Sequence, residues 1–247
     1  MTLTFVYYQT GETAVKNDHL DVDRAKSDLL AAIEPHVPFD GWTRPAFEMA
    51  VADSDIDLAL AEVICPRGAV DLAIAYHRKG DQAMCLAVKS ADFDGMKFRD
   101  KVAACIRMRL EGADPELVRR GATLFALPQN TAVGAKLIWE TADKVWNVLG
   151  DSSRDYNWYT KRATLSGVYS ATVLFWMGDE SEGHCETWEF LDRRIGNVMQ
   201  FEKVKGKLLK LPFAERMVGA IRAPQAGQDM PGKTYGAADG AKERTDT

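Results

Sequence analysis

The chain has 247 residues, 46% hydrophobic and 27% charged, with a net charge of −5. That composition supplies the core of one large domain, alone or with a small second one, and the charge excludes a nucleic-acid coat protein. No apolar run approaches the roughly 20 residues of a membrane-spanning helix. The apolar stretch at residues 3–8 has no basic leader and is too short for a signal-peptide core, so the chain reads as intracellular.

Residues 1–20 read as a flexible leader, broken by Gly11, Lys16, Asn17 and Asp18. A helix is expected over residues 22–36 with Leu29, Leu30 and Ile33 inward. Thr43 can cap a second helix with Arg44 and Pro45 in its first turn, and a break at Asp53 and Ser54 leads to a third carrying Ile56, Leu58, Leu60 and Ile64. Pro66-Arg67-Gly68 ends that helix and opens another through about His77. Over residues 129–149, Ala135, Ile138, Trp139, Ala142, Val145, Trp146 and Leu149 share one helical face, with Pro128 in its first turn and Gly150 just past its end. Ser152-x-x-Asp155 fits a capping box for a helix running to about Met177, which presents Leu165, Val168, Tyr169, Thr172, Phe175 and Trp176. After a loop at residues 178–183, Trp188, Leu191, Ile195 and Val198 mark a last long helix.

Short helices followed by a longer helical body are the layout of a TetR-type regulator. The expected fold is all-α, with a helix-turn-helix-like head at residues 21–80 and a ligand-binding bundle at residues 81–202. Residues 203–222 form a basic amphipathic segment, and residues 223–247 read as a disordered tail. A head that reads DNA needs cations for phosphates. Residues 40–66 instead hold six acidic side chains against Arg44 alone, a local net charge of −5, so DNA binding is not expected.

The four cysteines and four histidines are scattered, and no metalloprotease, nucleophile-elbow, Walker or dinucleotide motif occurs. No catalytic residue, metal site or cofactor is therefore assigned, and the chain reads as a non-enzyme.

The run Gly150-Asp151-Ser152-Ser153-Arg154-Asp155-Tyr156-Asn157-Trp158-Tyr159-Thr160-Lys161-Arg162 resembles the signature of the COQ9 family of ubiquinone-biosynthesis proteins. Gly167-Val168-Tyr169-Ser170-Ala171-Thr172 and Thr187-Trp188-Glu189-Phe190-Leu191-Asp192-Arg193-Arg194-Ile195 continue it. Weaker agreement at Leu127-Pro128-Gln129-Asn130, Pro66-Arg67-Gly68 and Phe39-Asp40-Gly41-Trp42 spreads the likeness over most of residues 22–205. The resemblance implies a dimeric, TetR-like protein that no longer binds DNA and that holds isoprenoid quinone intermediates or other lipid in its helical body. It also implies support of a ubiquinone-biosynthesis hydroxylase and attachment to a membrane through a C-terminal helix. Carried over by motif, the partner surface comprises Asp155, Trp158 and Tyr159, with Arg162 nearby.

Three features of the residues agree with those implications. Trp158 and Tyr159 point about 100° apart on a helix, so they cannot both enter the core. Bulky aromatics beside small residues on the last three helices fit either a close-packed core or an apolar pocket; with the resemblance, a pocket is assigned to Trp139, Ala142, Trp146, Val168, Thr172, Phe175, Leu191 and Ile195. Residues 202–222 carry a net charge of +4 interleaved with apolar side chains. There Lys207, Leu208, Leu209, Lys210, Leu211, Phe213, Met217, Val218 and Ile221 are assigned to a membrane surface, with Pro212 interrupting a single helix. The expected location is cytoplasmic, peripherally on the inner face of the cytoplasmic membrane, or the mitochondrial matrix side in a eukaryote. The competing expectation is a ligand-responsive transcriptional regulator.

Overall fold

The computed structural model describes residues 14–208 except Asp155, with side chains described over residues 22–198 except Asp155 and Tyr156. Lys207 and Leu208 have described backbone only. The remaining membrane assignments, the apolar stretch at residues 3–8, the tail and Asp155 lie outside the described residues.

The head is built from α1 (Ala14–Ile33), α2 (Val37–Asp40), α3 (Arg44–Asp53) and α4 (Leu58–Ile64). α1 begins within the stretch read as leader, and it buries Leu29, Leu30 and Ile33 through their three- and four-residue spacing. Gly41, at φ +69°, lets the chain turn out of α2. Thr43 caps α3 by accepting from Ala46 N at 3.5 Å, with Pro45 in the first turn. Asp57 caps α4 by accepting from Ala59 N at 2.8 Å. Trp42, Phe47, Ala50, Ala61 and Cys65 close the head core, whereas Leu58, Leu60 and Val63 of α4 stay exposed.

α5 (Ala69–Ser90) runs about 33 Å at 1.5 Å per residue and joins head to body. Its first turns bury Ala69, Leu72 and Ala73 in the head core, and its last turns bury Met84 and Val88 in the bundle. The sequence placed its end near His77. It continues because Gly80 does not break it: the space a side chain would occupy there is filled by the Arg109 guanidinium.

The body adds α6 (Phe98–Glu111), α7 (Pro115–Ala126), α8 (Thr131–Val148), α9 (Tyr156–Trp176) and α10 (Cys185–Leu208), with a 3₁₀ turn at Glu182–His184. Asp114 caps α7 through Glu116 N and Leu117 N at 2.8 and 3.1 Å. Head and body are tied directly. Trp42 Nε1 donates to Leu117 O at 3.2 Å, Arg120 Nη2 donates to Pro38 O at 2.7 Å, and Asp114 N donates to Tyr76 Oη at 3.1 Å.

α8 ends in the expected left-handed turn. Gly150 has φ +78°, its N–H reaches Asn147 O, and Asp151 N reaches Trp146 O, which together satisfy the last carbonyls. Pro128, by contrast, lies in the turn before α8 and not in its first turn. Ser152 is not the N-cap of α9, since residues 153 and 154 are not helical and α9 starts at Tyr156; Asp155, the other member of the expected capping box, lies outside the described residues. Ser153 instead bonds back to Asp151, through N at 3.4 Å and Oγ at 2.9 Å, so the loop folds around that carboxylate.

Candidate functional site

A cavity of about 500 Å³ opens where the end of α8, the following loop and the first half of α9 meet α6 and α10. Phe98, Val102, Leu165, Val168, Ile195 and Val198 supply apolar wall. Asp151, Ser152, Asn157, Thr160, Lys161 and Thr164 supply a polar side. Trp146 stands between the two. It stacks on Phe98 at 5.4 Å, its Nε1 donates to Lys161 O at 3.2 Å, and the Lys161 ammonium lies 5.2 Å from its ring. An apolar chamber with a few polar groups on one side is the arrangement that holds an amphipathic molecule by its tail and orients its head.

Asp151 organises the polar side. Its carboxylate accepts from Lys161 Nζ at 2.7 Å, Ser153 Oγ at 2.9 Å and Arg162 Nη1 at 3.2 Å. Burial works to raise its pKa, but the hydrogen bonds from Lys161, Ser153 and Arg162 outweigh it and hold the carboxyl below its ordinary range. Arg162 is itself 1% exposed, and it also binds Asp143 Oδ1 at 2.6 Å, Asn147 Oδ1 at 3.1 Å and Trp158 O at 3.3 Å. Its guanidinium lies 4.0 Å from the centre of the Trp158 ring.

The expected partner surface is corrected at two positions. Trp158 is buried, packed between Arg162, Trp139 (ring centres 6.0 Å apart) and Tyr159 (4.8 Å, edge-on), and Arg162 is buried beneath it. Tyr159, half-buried, is the aromatic that reaches outward, as the 100° separation requires.

Three of the eight pocket assignments, Trp146, Val168 and Ile195, line the cavity. Five do not. Ala142 and Leu191 are packed solidly in the bundle core. Thr172 turns its hydroxyl back to Val168 O at 2.8 Å, and Phe175 stacks on Phe190 at 4.6 Å. Trp139 packs on Trp158. A helix face marks what is buried, not whether the buried space is filled. The reading also missed Phe98 and Val102, because α6 was not placed. Their signal is present in Val102, Cys105, Ile106, Arg109 and Leu110, which are all buried at helical spacing.

A second cavity, of about 380 Å³, lies between the head and α5 to α9. Beside it Asp81, fully buried, accepts from Arg109 Nε at 2.8 Å, Thr141 Oγ1 at 3.0 Å and Lys144 Nζ at 3.3 Å. His77 Nε2 is 2.8 Å from Thr141 Oγ1. Burial pushes the His77 pKa down to about 4; Asp81 opposes this, while Arg109 and Lys144 add to it. The ring is therefore neutral at pH 7. Among the described residues no helix is long and apolar enough to cross a membrane.

The COQ9 family profile matches residues 131–202. The COQ9 ubiquinone biosynthesis protein of Xenopus tropicalis, named as mitochondrial, is 38% identical over 188 residues, covering 72% of this chain and 58% of that protein. Its Rattus norvegicus counterpart is 29% identical over 215 residues, covering 77% and 63%. The Drosophila melanogaster one is 28% identical over 188 residues, covering 73% and 57%. The chain thus spans about three-fifths of the length of these relatives. A TetR transcriptional regulator from Nitrosomonas europaea superposes with a TM-score of 0.58 at 18% identity, covering 70% of this chain and 97% of that one. The fold is therefore the all-α, TetR-like one expected, and by its sequence the chain is a member of the COQ9 family.

Proposed function

We propose that this protein is a non-catalytic accessory of ubiquinone biosynthesis. It binds an isoprenoid quinone intermediate in the cavity between α6, α8, α9 and α10 and presents it to a membrane-associated hydroxylase. The observation that carries the reading is the origin of that cavity: of its lining residues, all but Phe98 and Val102 come from residues 131–202, the stretch that matches COQ9. One isoprene unit is worth about 4 kcal/mol of transfer free energy at ~0.8 kcal/mol per methylene, so a free tail is heavily penalised in water. An apolar chamber offsets that penalty about as well as a bilayer does, and exchange between the two is then nearly neutral.

The basic segment at residues 203–222 begins within the last turns of α10, which lines the cavity through Ile195 and Val198, and in this reading it holds the cavity at an anionic membrane face. Tyr159 and the adjoining loop are the surface offered to the hydroxylase. Exposed Leu174 and the Phe175–Phe190 stack on α9 and α10 suit a homodimer contact. The relatives are named as mitochondrial, which agrees with a place on the matrix side in a eukaryote; attachment to the membrane there is part of the proposal.

The regulator alternative is disfavoured by the head. Arg44, the single cation of residues 40–66, is engaged by Glu48 at 2.7 Å and Glu62 at 2.9 Å, which leaves none in that segment for phosphate.

Solvent extraction of the purified chain with mass spectrometry of the extract tests the proposal. Prenylated quinone or phenol is expected from the parent and is lost from Val168→Phe, which fills the cavity while helicity is retained. An extract without prenyl lipid, or equal amounts from both proteins, refutes it.

A further inference from the structure

We propose that the second cavity is a separate ligand site, which takes an amphipathic molecule with an oxygen acceptor, foremost a carboxylate, at Arg109 and an apolar body along α7 and α8. Much of its wall, on α5 to α7 and at Trp42, lies outside residues 131–202, so it does not follow from the family match or from lipid carriage in the first cavity.

The polar groups around this cavity are mostly engaged within the protein. Trp42 Nε1 donates to Leu117 O, Tyr76 Oη accepts from Asp114 N, Thr131 Oγ1 donates to Leu127 O and Ser170 Oγ donates to Ser166 O. Arg109 stands apart, with the Tyr169 phenol as its neighbour in the wall. Its side chain is 3% exposed; Nε donates to Asp81 at 2.8 Å and Nη2 donates to His77 O at 3.1 Å. Nη1 makes no hydrogen bond among the described residues, although the side chain lines the cavity. A buried guanidinium with an unengaged N–H edge is a preorganised donor for a carboxylate or a strongly polarised carbonyl.

The local charge has the same sense. Arg109 and Lys144 outnumber Asp81, and His77 is neutral at pH 7, so an incoming anion meets net positive charge. The rest of the lining is largely apolar, with Leu117, Val118, Leu137, Ile138 and Val173 around the space beside Ala122, while Phe125 packs into the gap left by Gly134. A cavity of about 150 Å³ accommodates benzene, so 380 Å³ corresponds to roughly fifteen heavy atoms. A medium-length fatty acid or a ring with a short chain fits; a long polyprenyl tail does not.

Calorimetric titration of the full chain with decanoate, with a pentyl-substituted benzoquinone and with decylamine separates the possibilities. Decanoate is expected to bind at least tenfold more tightly than decylamine, which has the same tail and no acceptor. Binding is expected to be lost in Ala122→Phe and kept in Val168→Phe, the variant that fills the first cavity. Arg109→Lys keeps a charge beside Asp81 but removes Nη1, and it is expected to weaken decanoate at least tenfold. Tighter binding of the benzoquinone than of decanoate also supports the site and assigns the acceptor to a ring carbonyl. The proposal is overturned if decylamine binds as well as decanoate, if Val168→Phe rather than Ala122→Phe abolishes binding, or if neither acceptor ligand binds. Should Arg109→Lys fail to fold, the Ala122→Phe and Val168→Phe pair decides the matter. Prenyl-lipid extraction reports on the first cavity independently.

Discussion

Arg162→Met separates a structural role for this arginine from the partner contact that its motif implies. Methionine keeps much of the side chain's length and its packing over the Trp158 ring but removes the charge and four hydrogen-bonded contacts, to Asp143, Asp151, Asn147 and Trp158 O. Removing one member of a buried ionic cluster costs about 3–5 kcal/mol, because the remaining charge stays behind without its partner. Here the lower end applies. Asp151, 4% exposed, still has Lys161 at 2.7 Å, and Asp143, 25% exposed, recovers some water. A loss of about 3 kcal/mol corresponds to a fall in Tm of roughly 6–12 °C for a domain of this size. Urea and thermal unfolding followed by far-ultraviolet circular dichroism measure it. A variant with parental Tm and weaker hydroxylase binding would show that Arg162 acts at the surface, and the buried cluster would then carry no stability.

Trp158→Ala is expected to cost about 3–5 kcal/mol, since it removes a buried indole from between Trp139, Tyr159 and Arg162; an unchanged urea midpoint contradicts this. Gly80→Ala gains about 1 kcal/mol of helix propensity but places a Cβ 2.6 Å from Arg109 Cζ. Displacing that ion-paired guanidinium gives a net loss of about 2 kcal/mol, and a stabilised variant shows instead that Arg109 moves aside freely. As pH falls from 6.5 towards 4, the unfolded chain takes a proton that buried His77 refuses until about pH 4, so stability present above pH 6.5 declines by up to about 3 kcal/mol. His77→Gln should flatten that window, and identical slopes in variant and parent rule His77 out as the cause.

Local signals carried most of the architecture. Thr43 and Gly150 act where their chemistry places them, since a cap or a left-handed turn depends on a few adjacent residues. Leu29, Leu30 and Ile33 fall inward because amphipathic spacing needs nothing from the rest of the chain. The Ser152 N-cap failed to a longer-range competitor: Asp151, drawn to Lys161 and Arg162 one or more helical turns away, reorganises the loop around itself. α5 outran its expected end because Gly80 is supported by Arg109, a residue of the next helix. The cavity was the least legible part. Trp146 and Val168 line it while Ala142 and Leu191 of the same bundle are close-packed, and that difference arises only when α6 and α10 dock. Trp158 and Tyr159 had to diverge, but which one faced inward was decided by Arg162 beneath the indole.

The bonds that Trp42, Pro38 and Tyr76 make with the start of α7 have a consequence for how the molecule comes apart. Freeing the reader-shaped N-terminal lobe would strand an indole N–H and three backbone groups at the junction, and α5 threads both hydrophobic cores. Neither lobe therefore has an inexpensive way to melt alone. Heating should yield a single calorimetric endotherm with matching van't Hoff enthalpy, so that a lesion in either half is felt by the whole.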